Sequence, residues 1–327
     1  MLFRLLAIPN LHVFVNASLA GYTRFEIGGP ARALLDVDDE TALIEAWRAV
    51  KETGWQRTVI GGGTNLVVAD DGFPGAVIRY TARNIEFEDC RVRVDAGAML
   101  QHLVDATIAQ GLRGLETMTG IPGWLGGAVY GNAGAYGRSI NEAVESVRFF
   151  DGAEIREIDN TGCDFHYRES VFKRRKDWII LSATLRLERG HADDLRAAAA
   201  SILKIRNAKY PPTMRCAGSI FKNLLLADLN ESVKARVPEG VIREGKVPSA
   251  FFLEQVGAKG MTNGPIQVAD YHANLIYNTG GGTAHQVRAI INELKARVRV
   301  QFGIDIQEEV QFVGDSDVQL TATVTPV

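Results

Sequence analysis

The chain has 327 residues, 46% hydrophobic and 23% charged, with a formal net charge of −3. That length supports two or three domains with real cores; the balance excludes a disordered chain and argues against a dedicated nucleic-acid binder. Three isolated cysteines, Cys90, Cys163 and Cys216, form no CxxC pair, so neither a zinc site nor a disulfide framework is expected, and a reducing compartment is the simplest setting.

Residues 1–15 begin like a leader, with one early cation and an apolar run. Pro9, Asn10 and His12 break that run and no small-residue cleavage site follows, so export is not expected. No run of ~18 apolar residues exists, so no membrane insertion is expected. Residues 23–80 form a small α/β pattern. A strand at 33–37 leads to a helix capped by Asp38 and Asp39, with Leu43, Trp47 and Val50 on its apolar face and Gly54 at its end. A strand at 58–60 runs into Gly61-Gly62-Gly63-Thr64-Asn65. Strands at 66–68 and 76–79 flank a turn at 71–75.

Residues 81–190 form a second α/β pattern. A strand at 92–96 precedes a helix with Leu100, Leu103, Val104 and Ile108 on one face, closed by Gly111. A glycine-rich segment covers 114–137. Strands at 146–150 and 153–158 flank Asp151-Gly152, a hairpin signal, and a further strand covers 178–187. The alanine-rich helix 192–209 is stopped by Tyr210-Pro211-Pro212, which marks a domain boundary. In the remainder the clearest element is a helix after Thr283, with Val287, Ile291, Leu294 and Val298 on one face and Gly303 near its end. The tail after Gly314 is expected to be loose. The expected division is 1–80, 81–210 and 211–327.

Thirty-three glycines are about a tenth of the chain, against a typical ~7%, and they cluster. Clustered glycine means backbone brought close to something or forced to positive φ. Gly61-Gly62-Gly63-Thr64-Asn65 can turn several amides into one concavity that suits a pyrophosphate, or can simply be a tight connection. It lacks the third glycine of GxGxxG and the GK[ST] of a P-loop. In the second segment, Gly120-Ile121-Pro122 leads to Gly126-Gly127-Ala128 at a helix start, which attracts an anion. Asn132, Ala133 and Gly134 are small enough for a flat ring to pass; a close helix–sheet contact is the plainer alternative. Two such loops favour a large phosphate-bearing cofactor, and flavin adenine dinucleotide has both a pyrophosphate and a flat ring. Arg168, between Tyr167 and Phe172, is either a solvated cation or a half-buried anion partner. Ser219, in Ala217-Gly218-Ser219, is either a turn residue or a proton donor, since GxSxG is absent. Glu308-Glu309 opens a short strand and alone says little.

Taken together, Tyr22-Thr23-Arg24-Phe25-Glu26-Ile27-Gly28-Gly29-Pro30, GGGTNL, GIPGWLGGAVYGNAGAYG, YRESVF, AGSIFKN, the segment 252–260, His272-Ala273-Asn274 and EEVQFVG resemble, in order and over about residues 18–314, the UDP-N-acetylenolpyruvoylglucosamine reductases of peptidoglycan synthesis, the MurB family. The resemblance implies an α+β fold. It would have a two-part FAD-binding domain of the PCMH/MurB type and a C-terminal α+β substrate-binding domain. It implies a cytoplasmic enzyme, expected to be a monomer, that serves cell-wall biogenesis, cell shape and division. NADPH would reduce non-covalent FAD, which would then reduce a UDP-sugar, UDP-N-acetylglucosamine enolpyruvate. By the same resemblance Arg168 and Glu309 flank the substrate carboxylate, with Glu309 protonated when it acts, and Ser219 delivers a proton to C2. The cofactor would be met by Gly61, Gly62, Gly63, Thr64, Asn65, Gly120, Ile121, Pro122, Gly126, Gly127, Ala128, Asn132, Ala133 and Gly134. Arg206, Lys209, Asn223 and His272 would meet the substrate, His272 being equally readable as a satisfied structural histidine. No metal is implied. Residues 224–246 are longer and more apolar than the family pattern, and the extra tyrosine-bearing loop of one subclass is not evident. The rivals are another PCMH-type flavin oxidoreductase, such as a sugar oxidase, and a non-catalytic nucleotide-binding module. Residues 58–75 hold no histidine to tether a flavin.

Overall fold

The computed structural model describes residues 2–314. The expected loose tail therefore lies outside the described residues. After a short helix at Leu2–Leu6, the elements that matter for the site are β1 (Leu11–Ser18), β2 (Pro30–Val37), α1 (Glu40–Glu52), β3 (Arg57–Val59), β4 (Leu66–Val68) and β5 (Phe73–Tyr80). Next come β6 (Ile85–Glu88), β7 (Arg91–Asp95), α2 (Leu100–Ala109), α3 (Leu125–Tyr130), β8 (Val144–Phe150), β9 (Ile155–Asp159), β10 (Ile179–Arg186) and α4 (Ala192–Lys209). The last part holds β11 (Arg215–Ser219), α5 (Ser249–Gln255), β12 (Thr262–Asn263), β13 (Ile266–Val268), β14 (Leu275–Asn278), α6 (Ala284–Phe302) and β15 (Gln311–Val313). The fold is α+β.

Local chemistry accounts for the helices. Asp39 caps α1 by accepting the Ala42 amide at 2.8 Å. Thr283 and Gln286 form a capping box at the start of α6, and Gly303 ends it in the left-handed region at φ +68°. The first sheet runs β1-β2-β5-β3, with β1 antiparallel to β2 and the other pairings parallel. β1 was not expected from the sequence. The second sheet is antiparallel, in the order β9-β8-β10-β7-β6, and the third is antiparallel, in the order β11-β14-β13-β12.

The first two sheets share one core. Trp47 of α1 meets Phe150 of β8 edge-on with ring centroids 6.0 Å apart. A separate core serves the third sheet and α6, and it also takes in Phe25, Ile27 and Val67 from the N-terminal part. The chain then returns: β15 pairs in parallel with β4, Gln311 opposite Leu66. This pairing brings the C-terminal carboxylates next to the loop that follows β3.

Candidate active site

A cavity of about 440 Å³ opens where the three sheets meet. One wall is the 61–65 loop between β3 and β4. Gly63 sits at φ +65°, and a Cβ there would come within 1.8 Å of the Tyr22 carbonyl oxygen. No other residue fits. The opposite wall is the 121–134 segment. A Cβ on Gly62 would come within 3.1 Å of the Trp124 ring, whereas one on Gly127 would meet nothing within 4 Å and would project into open space. Thr64 Oγ1 donates to the Pro122 carbonyl at 3.2 Å and ties the two loops together. The amides of Gly61–Asn65 and of Gly127 have no acceptor among the described residues. Close-packed main chain on both sides, with unsatisfied donors between, fits a pyrophosphate and a flat ring, so the donor set suits FAD. Gly61, Gly62, Gly63, Thr64, Asn65, Ile121, Pro122, Gly126, Gly127, Ala128, Ala133 and Gly134 all line this space.

Side chains close the other end. β11 carries a register shift between Cys216 and Ser219, with Gly218 at φ +75°, and this irregularity turns Ser219 to the cavity. Ser219 Oγ and the Tyr210 hydroxyl are hydrogen-bonded at 3.0 Å. Glu309 precedes β15; its amide donates to Ile220 O at 2.7 Å, and its carbonyl accepts from Asn65 Nδ2 at 3.0 Å. The Glu309 main chain is thus joined both to the residue that follows Ser219 and, through the Asn65 side chain, to the glycine loop. Arg168 Nε donates to Glu309 Oε1 at 2.6 Å, and its Nη2 donates to Gly134 O at 2.9 Å. The adjacent Glu308 turns away to Lys295 at 2.8 Å. Two neighbouring acids therefore have separate partners, and only Glu309 lines the cavity.

Arg206 projects from the last turn of α4 into the same space. Its buried Nε has no hydrogen-bond partner, and burial holds its basicity below the ordinary arginine value. A buried guanidinium nitrogen without an acceptor suits an anionic ligand. Asn223 also lines the cavity, and its amide donates to the Tyr167 hydroxyl at 3.2 Å. Tyr167 is held above the usual phenol range by burial and by Glu309.

Four expected contacts lie outside the cavity lining. The Gly120 amide donates to Gln101 Oε1 at 2.6 Å, and a Cβ there would come within 3.2 Å of Arg206; this glycine makes room for Arg206. Asn132 is buried at φ +41°; it donates to His166 O at 2.8 Å, and its own carbonyl accepts from Arg168 Nη1 at 3.3 Å. It shapes the Arg168 pocket from behind. Lys209 lies over the Tyr210 ring at 5.1 Å. His272 Nδ1 accepts the Asn274 amide at 3.2 Å. Tyr210, Tyr167, Lys173 and Arg24 line the cavity without having been singled out as ligand residues. For Tyr210 the signal was hidden, because Tyr-Pro-Pro read as a helix stop. No histidine or cysteine stands among the described lining residues.

Residues 31–154 match a family model described as an FAD binding domain, and residues 210–313 match the C-terminal domain of UDP-N-acetylenolpyruvoylglucosamine reductase. A UDP-N-acetylenolpyruvoylglucosamine reductase of Solibacter usitatus is 57% identical over 95% of this chain and 100% of that protein. One from Pediococcus pentosaceus is 35% identical over 94% and 97%. The crystal structure of the Thermus caldophilus reductase (MurB) superposes with a TM-score of 0.72 at 27% identity, covering 93% of this chain and 98% of that one.

Proposed function

The chain belongs to the UDP-N-acetylenolpyruvoylglucosamine reductase family, and from that membership we infer that it reduces UDP-N-acetylglucosamine enolpyruvate to UDP-N-acetylmuramate, with FAD as cofactor and NADPH as hydride source. The observation that carries this reading is one cavity that joins two glycine cradles to an arginine, a serine and a carboxylate from distant parts of the chain. Bound FAD supplies hydride transfer, from NADPH to C3 of the enolpyruvyl group. The protein's own task is the charge that this creates on C2 and the substrate carboxylate, which preset donors stabilise best.

Arg168 is the residue to receive the carboxylate. It already engages Glu309, so an incoming carboxylate competes for its fork and comes to lie beside Glu309, which serves that carboxylate as a hydrogen-bond donor. Ser219 gives its proton to C2, with its hydroxyl oriented by Tyr210. Arg206 meets the diphosphate or carboxylate, Lys209 adds charge at the same helix end, and Asn223 meets the substrate from the cavity wall. The absence of histidine and cysteine from the described lining favours flavin held without a covalent bond, against the sugar-oxidase reading. The same reading puts the enzyme in the cytoplasm. No described helix is long and apolar enough to cross a membrane.

The test is direct. Purified protein should show flavin absorbance bands, release its colour to the supernatant on acid precipitation, and oxidise NADPH when UDP-N-acetylglucosamine enolpyruvate is added. Colour in the pellet would favour a tethered oxidase, and bands without substrate-dependent NADPH oxidation would remove the reductase reading.

A further inference from the structure

Arg168 sits at φ +56°, a left-handed conformation that an arginine keeps only where its surroundings hold it. A second set of charges does the holding. Lys173 Nζ donates to the Arg168 carbonyl at 2.8 Å and to Glu169 Oε1 at 3.1 Å. Lys222 Nζ donates to that same carboxylate oxygen at 2.7 Å and to Gln307 Oε1 at 3.4 Å. The Lys173 and Lys222 side chains are 13% and 18% exposed, so solvent screens their charges poorly.

Position gives this cluster its meaning. Lys222 follows Ser219 on the third unit, and its amide donates to the carbonyl of Gln307, just before Glu309, at 2.9 Å. One carboxylate therefore ties the Arg168 turn to both segments that present Ser219 and Glu309. Without it, two ammonium groups would face each other across a few ångströms with no anion between them. Burial, and then the Lys222 charge, push Lys173 below its ordinary value, while Glu169 opposes both.

We propose that Glu169 is a positioning residue: by gathering Lys173 and Lys222 onto one oxygen, it fixes the Arg168 main chain so that the guanidinium stays aimed at the place of the substrate carboxylate. This rests on the role given to Arg168 above. Arg168 would be carried by a hinge of unlike charges that spans two units of the fold.

The test compares two ligands on the flavin-loaded protein by calorimetry. UDP-N-acetylglucosamine enolpyruvate carries the carboxylate; UDP-N-acetylglucosamine does not. Glu169→Gln should weaken the first about tenfold and the second less than about twofold, because only the Arg168 contact is displaced. Lys222→Met reaches the same hinge from its other partner, outside the cavity lining, and should give the same signature, so the proposal stays testable if one variant fails to fold. Adding Lys222→Met to Glu169→Gln should cost little more than either alone. Equal weakening of both ligands, or unchanged binding of both, overturns the proposal. If the wild-type protein itself does not oxidise NADPH with substrate, the reductase reading has failed instead, and the two failures are distinct.

Discussion

One end of the cavity is lined by main chain; the other is lined by side chains from residues 168, 219 and 309. The glycine end is local: two loops, each specified within a few residues, face each other across the space. The acid end exists only because β15 pairs with β4, β11 bends at Gly218 and the Arg168 turn is pinned from the side. Binding by amides needs the absence of a Cβ, a property that glycine writes into the sequence directly. Charge stabilisation needs distances between remote atoms, which the fold alone supplies. The two ends should therefore break in different ways.

The largest effect is expected at the acid end. Ser219→Ala should leave flavin reduction by NADPH within about twofold and slow substrate-dependent reoxidation about 10³-fold, a general-acid loss. Rapid mixing separates the two half-reactions. Equal damage to both would dissolve the contrast, because Ser219 would then be serving the cradle.

At the glycine end the contrast can be drawn within one type of residue. Gly63→Ala forces a methyl against the Tyr22 carbonyl at positive φ and should cost about 3 kcal/mol or more of stability. Thermal melting and flavin content would read it. Gly127→Ala meets nothing within 4 Å, so its methyl enters the cavity and should lower flavin affinity a few-fold with an unchanged melting point. If both variants melt alike, Gly127 is a packing residue and that wall is not a cradle.

Tyr210→Phe should be milder than Ser219→Ala, slowing the second half-reaction about tenfold by freeing the serine hydroxyl. A loss as large as that of Ser219→Ala would give Tyr210 more than an orienting part.

Much of the frame was legible because its signals are local. Asp39 before α1, the proline stop after α4 and the Thr283–Gly303 limits of α6 are each settled within a turn of chain. β1 was not, since it is an edge strand with most of its residues exposed, and its pairing with β2 carries the information. Sequence spacing alone could not separate Glu309 from Glu308; family resemblance chose Glu309, and the structure turns Glu308 to Lys295. Gly120 and Asn132 belonged to the right segment but support Arg206 and Arg168 from behind, a distinction that depends on which side of a loop faces the cavity. Glu169 was not singled out: Lys173 stands one helical turn away in the chain, but Lys222 is brought to the same carboxylate only by the fold.

The smallest expected effect marks where the acid end stops. Burial, and next the charge of Lys209, push the His272 ring from 6.5 down to about 4. The unfolded chain takes up a proton near pH 6.5, but the folded chain does so only near pH 4. The contribution of His272 to stability is therefore complete above about pH 6.5 and is lost as pH falls from there towards 4. His272→Gln keeps an acceptor for the Asn274 amide and cannot take up that proton. The variant should flatten the acid side of the melting profile while leaving kcat/KM within about twofold. A tenfold fall in the substrate half-reaction, with the acid slope intact, would mean that the ligand reaches past Tyr210, whose ring centroid lies 6.3 Å from that of His272. The acid end would then be wider than its three side chains, and His272 would join them.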